Sequence, residues 1–227
     1  MAHHFWITGT DTDVGKTLVT TLLMRYYQSK GAKVIPYKPI QTGMIAGNIN
    51  CDTAFYQLCS KEILTKDHLN SYSLKEPVSP HYAAMLEGTV ISEETILQHI
   101  RHLTSMYDCV ICEGAGGLYV PLDEKRNYHF LDLIFQSNLP GVLVARTKLG
   151  TINHTLLSIE ALRGKGIPIA GIVFNKFEGT NLEMDNITTI QKLTELPTLV
   201  IPMLKDLSQL KELQIENTEF FERLLSI

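Results

Sequence analysis

The sequence lacks long apolar runs and dense clusters of one charge. Polar or charged residues interrupt every apolar stretch of the 227-residue chain well before membrane-spanning length. The formal net charge is −4, and no run of Lys and Arg supplies the field that attracts nucleic acid. Residues 1–7 lack the basic and apolar regions of a secretory signal. We therefore expect a cytoplasmic protein with neither a membrane nor a nucleic-acid partner.

Cysteine is scarce, with four residues in the chain. Cys109 and Cys112 lie three apart in an apolar run typical of a β-strand, where such residues point to opposite faces and cannot chelate one ion well. No second pair follows at zinc-ribbon spacing. We expect buried, reduced thiols, as in the cytoplasm.

Apolar runs alternate with helical patterns along the whole chain. Apolar residues make up 44% of the sequence and charged residues 19%, which is typical of a globular protein. Neither a repeat nor a linker divides the chain, so residues 1–227 are predicted to form a single domain. Strands are predicted over residues 5–8, 34–37, 108–112, 142–145, 169–174 and 198–201, and helices over residues 17–29, 93–106, 152–163, 182–196 and 207–227.

This order predicts an α/β fold with a mostly parallel sheet and helices on both faces. Right-handed crossovers would place the loops that follow the strands at one edge of the sheet, where ligands bind. Residues 43–88 break the alternation, and their Gly, Asn and Pro content predicts a loop-rich insertion near that edge.

Residues 8–17 read TGTDTDVGKT and lie between an apolar strand and an amphipathic helix. Such a loop offers backbone N–H groups and the positive end of the helix dipole to a phosphate chain. Gly15 lets the backbone approach the phosphates, Lys16 supplies a cation for them, and Thr17 supplies a hydroxyl ligand for Mg²⁺. A chance GKT in a surface turn would not have this context. The loop predicts binding of ATP, or a close relative, with Mg²⁺.

The loop departs from the general phosphate-loop pattern at two points. The strict spacing requires Gly at position 10, but the chain has Thr10, and Gly9 comes one residue early. Asp11 stands where ATPases of the partitioning and septum-positioning class carry a signature Lys, which disfavours that class. Together with Asp13 it makes the loop acidic, which indicates a cation or an amine nearby.

Two further residues are candidates for the same site. Glu113 ends a predicted strand and is followed by small residues that allow close approach to the backbone. Lys38 follows the second strand on the same edge and could stabilise negative charge in transit. The alternatives are a solvated Glu before a flexible turn and an ordinary solubilising Lys. Asp52 is, on this view, a lone carboxylate in a loop.

Four ordered motifs together resemble the dethiobiotin synthase family. They are GTDTDVGKT at residues 9–17, KPIQTG at 38–43, EGAGG at 113–117 and KLGTINH at 148–154. The EGAGG and Lys-Pro motifs are shared with cobyrinic acid amidases, whose glutaminase domain this chain has no room for.

The resemblance implies an ATP- and Mg²⁺-dependent ligase of biotin biosynthesis. Its substrates would be 7,8-diaminononanoate, CO₂ and ATP, with ATP as co-substrate. A carbamate would form on one amine and attack the γ-phosphate, and the second amine would displace phosphate from the carbamic-phosphoric anhydride. ADP, phosphate and the cyclic urea would be the products. Family members are homodimers, so a homodimer is implied here.

The resemblance also implies roles for individual residues. Lys16 and Lys38 would be catalytic, and Thr17, Asp52 and Glu113 would hold Mg²⁺. The substrate-binding residues would be Thr12, Thr42, Gly117 and Asn153, the last at the dimer interface. The ATP-binding residues would be Asp13, Val14, Gly15, Lys16, Thr17, Leu18, Asp52, Glu113, Gly114, Ala115, Gly116, Asn175, Lys176, Pro202, Met203 and Leu204.

Two other functions remain open at this point. One is a regulatory P-loop ATPase that switches a partner, against which Asp11 argues. The other is a nucleotide-binding relative that has lost catalysis, against which the joint presence of Lys16, Thr17, Lys38 and Glu113 argues.

Overall fold

The computed structural model describes residues 3–44, 51–204, 210 and 218–224. Its strands are β1 (His3–Gly9), β2 (Val34–Tyr37), β3 (Ile40–Gln41), β4 (Tyr72–Ser73), β5 (Cys109–Gly117), β6 (Pro121–Asp123), β7 (Tyr128–His129), β8 (Gly141–Ala145), β9 (Ile169–Phe177) and β10 (Thr198–Pro202). Its helices are α1 (Lys16–Ser29), α2 (Asp52–Cys59), α3 (Pro80–Leu86), α4 (Glu93–Met106), α5 (Phe130–Ser137), α6 (Thr151–Gly164), α7 (Asn181–Thr194) and α8 (Glu219–Leu224).

A six-stranded sheet in the order β10-β9-β8-β1-β5-β2 forms the centre of the fold, and every neighbouring pair in it is parallel. The chain moves from β1 to β2 in one direction and from β2 through β5, β8 and β9 to β10 in the other. Right-handed crossovers then place α1 on one face and α4 to α7 on the other. The predicted parallel sheet with helices on both faces is confirmed.

The core lies on both faces of this sheet because its strands are apolar almost throughout. Strand β8 is buried at all five positions, and Trp6 and Ile7 in β1 are fully buried. Helix α8 closes the α1 face, where the Tyr27 hydroxyl donates to the Phe221 carbonyl at 2.9 Å. Of the helix predicted over residues 207–227, α8 and the buried Leu210 are described, and the rest lies outside the described residues.

The prediction that residues 43–88 form a loop-rich insertion holds in part, because the described residues combine irregular connections with short regular elements. They contain α2, a turn of 3₁₀ helix at Lys66–His68, β4 and α3, while residues 45–50 lie outside the described residues. Buried side chains three apart, at Thr53, Tyr56 and Cys59, fix α2 against the core. Asp52 is consequently the first residue of a helix rather than part of a loop.

Strand β5 is also longer than predicted. Glu113 lies inside it, and the small residues that follow continue the strand to Gly117, which pairs with Gly9. The four cysteines are buried free thiols, as expected, and burial raises the pKa of Cys109 and Cys112. No helix among the described residues has the length and apolar character needed to span a membrane.

Candidate active site

The phosphate loop joins the end of β1 to the start of α1. Gly15 precedes the helix with a φ of 101°, a conformation in which a side chain is strained. A Cβ at this position would also lie 1.9 Å from the Asn175 amide nitrogen, so both the backbone conformation and the lack of space require glycine. The first helical residue is Lys16, which is buried and donates to the Asp11 carbonyl at 2.9 Å.

Four consecutive carbonyls of this loop accept bonds from side-chain nitrogens. The remaining three donors come from the ends of β8 and β9, and the bonds are Arg146 Nη2 to Thr12 O at 3.4 Å, Lys176 Nζ to Asp13 O at 3.0 Å and Asn175 Nδ2 to Val14 O at 2.9 Å. Each of these carbonyls therefore already has a side-chain partner. A loop that opens a helix in this way offers its backbone N–H groups to an anion.

Three oxygen-bearing side chains meet beside the loop. Thr17 Oγ1 lies 2.6 Å from Asp52 Oδ1 and 2.9 Å from Glu113 Oε1. The Lys38 ammonium lies between the two carboxylates, 2.5 Å from Asp52 Oδ2 and 2.9 Å from Glu113 Oε1. The two carboxylates therefore already share one cation.

The Glu113 carboxylate is buried and is held from its other side as well. Its Oε2 accepts hydrogen bonds from Tyr56 at 2.5 Å and from Thr20 at 2.6 Å. Lys38, Tyr56 and Thr20 thus donate to its two oxygens, with the Thr17 hydroxyl shared between Glu113 and Asp52, which accounts for a charged group at 1% exposure. Burial raises the pKa of Tyr56, so its hydroxyl stays protonated and donates.

The charges in the site shift one another's ionisation. Burial opposes charge on both Lys38 and Asp52, but the neighbouring opposite charges outweigh it. Glu113, followed by Asp52, raises the pKa of Lys38, and Lys38 lowers the pKa of Asp52. Burial lowers the pKa of Lys16 to about 8, because its attraction to the carboxylates only partly offsets desolvation. Among the described residues, Lys38 is paired directly with carboxylates, whereas Lys16 donates to a backbone carbonyl.

These residues line a cavity of about 610 Å³ at the carboxyl edge of the sheet. Predicted site residues account for most of its wall: Thr12, Asp13, Gly15, Lys16, Thr17, Lys38, Thr42, Asp52, Glu113, Ala115, Gly116 and Lys176. Asn175 and Val14 lie directly behind it and hold the loop. Gly117 lines an adjacent groove of about 760 Å³.

Other predicted residues lie away from the cavity wall. Asn153 is exposed near the start of α6. Pro202, Met203 and Leu204 lie at the end of β10, partly exposed. Leu18 packs against the core from α1, and Gly114 lies within β5 behind the wall. The roles of all of these remain predictions.

Sequence reasoning missed several residues of the site. Gln41 and Arg146 line the cavity, and Thr20 and Tyr56 hold Glu113 from behind. Gln41 was visible within KPIQTG, and Arg146 follows a predicted strand directly, so position alone could have suggested both. Tyr56 gave no such signal because α2 was not predicted.

Fold and site together define a P-loop nucleotide-binding protein: a phosphate loop on a parallel sheet, with a lysine and two carboxylates at its edge. A family model described as an AAA domain matches residues 3–211. The chain belongs to the ATP-dependent dethiobiotin synthetase family, a family of ATP-dependent ligases of biotin biosynthesis.

Two curated relatives carry this assignment. The ATP-dependent dethiobiotin synthetase BioD of Lysinibacillus sphaericus (strain C3-41) is 54% identical over 97% of this chain and 96% of its own. Its counterpart from Halalkalibacterium halodurans is 44% identical over 86% of this chain and 82% of its own. The resemblance read from the four motifs is confirmed.

The solved structures that superpose on this chain include MinD proteins at low sequence identity. The septum site-determining protein MinD of Pyrococcus horikoshii, complexed with Mg-ADP, superposes with a TM-score of 0.63 at 16% identity, covering 100% of this chain and 96% of its own. A MinC:MinD complex of Aquifex aeolicus gives 0.64 at 14%, covering 100% and 97%. At these identities the likeness shows a shared P-loop fold and nothing further.

Proposed function

We propose that this enzyme closes the cyclic urea of dethiobiotin on 7,8-diaminononanoate, using CO₂ and ATP and releasing ADP and phosphate. The observation that carries the proposal is the convergence of two lysines and two carboxylates in one cavity beside the phosphate loop. A nucleotide-dependent condensation needs cations for transferred charge and a carboxylate pair for a metal ion. The family assignment supplies the reaction that unites them.

The residues present fit a magnesium ion. Thr17, Asp52 and Glu113 offer only oxygen atoms, which Mg²⁺ prefers, and the two carboxylates lie 2.6 and 2.9 Å from the Thr17 hydroxyl. The two carboxylates already enclose a cation, the Lys38 ammonium. When bound there with ATP, Mg²⁺ would neutralise charge on the β- and γ-phosphates.

Lys16 and Lys38 would act on opposite sides of the reacting centre. Lys16 would leave the Asp11 carbonyl and contact the phosphates, which requires the protonated form of its amine. Lys38 would face the carbamate that forms when one substrate amine adds to CO₂ and loses a proton. The carbamate oxygen then attacks the γ-phosphorus and ADP leaves. The second amine attacks the carbamoyl carbon, and phosphate departs as the ring closes.

The diamine and the adenine of ATP would bind at opposite sides of the cavity. Thr12 and Thr42 line the same cavity as Lys38 and would contact the diamine there. Asp13, also in the wall, would favour a positively charged amine. Asn175, Lys176 and residues 202–204 would form the adenine side, since β9 and β10 lie beyond the loop from Lys38.

A homodimer would complete the substrate site. Leu157, 62% exposed, and Tyr119, 64% exposed, border the 760 Å³ groove that reaches Gly117, and Leu149 is 86% exposed at the start of α6. Covering these apolar side chains with a second copy would bring Asn153 of the partner subunit towards the substrate. A cytoplasmic location belongs to the same proposal, and buried free thiols are compatible with it.

A direct assay tests the reaction. Purified protein is incubated with ATP, Mg²⁺, bicarbonate and 7,8-diaminononanoate, and phosphate release and the ureido product are measured together. We expect one phosphate per ureido product and little phosphate without the diamine. Phosphate release that ignores the diamine would instead support a regulatory ATPase and contradict the proposal.

A further inference from the structure

Gln41 carries a buried acceptor that nothing in the described part of the chain satisfies. It is the second residue of β3, lies three residues after Lys38, lines the same cavity and is only 4% exposed. Its Oε1 has no hydrogen-bond partner among the described residues. Buried side-chain oxygens are nearly always paired, so an unpaired one beside a cavity calls for an explanation.

The orientation of the Gln41 amide is fixed by its surroundings. The side-chain Nε2 donates to the Thr42 backbone carbonyl at 2.7 Å, while the backbone carbonyl of Gln41 accepts from Leu74 N at 2.8 Å and fixes the main chain. Exchanging the amide nitrogen and oxygen would set two acceptors against each other at Thr42. The nitrogen therefore stays on the Thr42 side, and the oxygen remains the group that needs a donor.

The chemistry of the cavity limits what can supply that donor. Phosphates at working pH and CO₂ offer acceptors only, so neither can pair with Oε1. The Lys38 ammonium is already held between Asp52 and Glu113. A substrate amine, or the N–H of a carbamate formed on it, is a donor of the required kind.

We propose that Gln41 Oε1 accepts a hydrogen bond from the N–H of the substrate's amine and so binds and orients it. This inference rests on the proposed function, in which the substrate is a diamine. An amine held through one N–H cannot rotate freely about its C–N bond, and its lone pair is directed at the carbon it attacks. Gln41 is then a determinant of specificity for an amine over a hydroxyl or methyl group at this position.

The test uses Gln41→Met, which keeps much of the side-chain volume and removes both polar atoms. We expect the KM for the diamine to rise about tenfold, the range of one hydrogen bond to an amine. The KM for ATP should stay within about twofold. The melting temperature of the free protein should not fall, because the variant removes an unpaired acceptor, and Thr42, whose carbonyl loses its donor, is only half-buried.

Gln28→Met is the matched control. Gln28 is also a buried glutamine, but both of its polar atoms are paired: Nε2 donates to Ser60 Oγ at 2.8 Å, and Oε1 accepts from Lys61 N at 3.0 Å. Its position on α1 is outside the cavity wall. We expect this variant to lower the melting temperature and to leave the KM for the diamine unchanged, the opposite pattern to Gln41→Met.

Two results would overturn the inference. If the diamine KM and kcat of Gln41→Met equal those of the wild type, a water molecule alone satisfies the oxygen. If Gln41→Met instead lowers the melting temperature and raises the KM for ATP and diamine alike, Gln41 is structural. Either result leaves the proposed function intact, whereas a wild-type protein that makes no ureido product from the diamine removes both.

Discussion

The shared cation site of Asp52 and Glu113 predicts a stability defect that magnesium alone should repair. Lys38→Met removes the ammonium that now lies within 2.9 Å of both carboxylates. The two acids remain side by side around Thr17 without a countercharge. Like charges in a partly buried site repel strongly, so the nucleotide-free variant should be destabilised.

The size of the effect follows from the burial of the three groups. Removing one partner of a buried ion pair costs about 3–5 kcal/mol. The Asp52 side chain is 28% exposed, so its charge is partly screened by water and the lower end applies, about 3 kcal/mol. For a protein of this size, each kcal/mol shifts the melting temperature by about 2–4 °C. Lys38→Met should therefore melt roughly 6–12 °C below the wild type in a metal chelator.

Thermal unfolding with chelator and with Mg²⁺, both without nucleotide, is the assay. Mg²⁺ should stabilise Lys38→Met far more than the wild type, because the divalent ion takes the place of the ammonium. Adding Glu113→Gln should restore stability in chelator and remove most of the response to Mg²⁺, since the amide can donate towards Asp52. The shared cation site would be refuted if Lys38→Met had the melting temperature of the wild type in chelator. It would also be refuted if Mg²⁺ raised the melting temperature of the variant no more than that of the wild type.

Three further results are expected. Because burial lowers the pKa of Lys16 to about 8, its amine is protonated below that pH and increasingly neutral above it. Affinity for Mg-ATP should therefore fall as the pH rises above 8, with proton uptake on binding in calorimetry; Lys16→Arg, charged throughout, should flatten this dependence. Gly15→Ala should abolish stabilisation by Mg-ATP, since its Cβ would meet Asn175 at 1.9 Å in a strained backbone; retained stabilisation would contradict this geometry. Tyr56→Phe should lower the free energy of unfolding by about 1.5–3 kcal/mol through the lost bond to Glu113, and an unchanged denaturant midpoint would disprove that bond.

The sequence predicts the central sheet well because each of its strands is a short apolar run. Strand β2 and helix α4 have the predicted bounds, residues 34–37 and 93–106, and the other predicted strands overlap the observed ones. Strands covered on both faces have little choice of residue, and crossover helices carry a clear apolar stripe. Glu113 and Lys38 converge because parallel strands end at the same edge of the sheet, as predicted.

Prediction fails where a side chain is fixed by residues far along the chain. The sequence predicts Asp52 in a loop because Gly and Asn residues precede it and give no helical pattern. In the structure Asp52 is the first residue of α2, and this helix places its carboxylate against Thr17. Tyr56 reaches Glu113 across 57 positions of sequence. No local sequence pattern identifies a tyrosine that donates to a distant carboxylate. Hydrogen-bond partners of this kind can be identified only in the folded structure.

The odd spacing of the phosphate loop has a packing explanation. A Cβ on Gly9 would lie 2.8 Å from the Val14 side chain and 3.1 Å from the Asp11 carbonyl, so the loop folds directly over this residue and excludes any side chain there. Thr10 follows the last residue of β1, and its N–H donates to Val144 O at 3.0 Å, so the main chain is still hydrogen-bonded to β8 as it enters the loop. The glycine therefore stands at position 9, where the loop leaves no space for a side chain. Opposite it, a Cβ on Gly117 would lie 3.5 Å from the Gly9 carbonyl, so the end of β5 lies close against the same point of the loop.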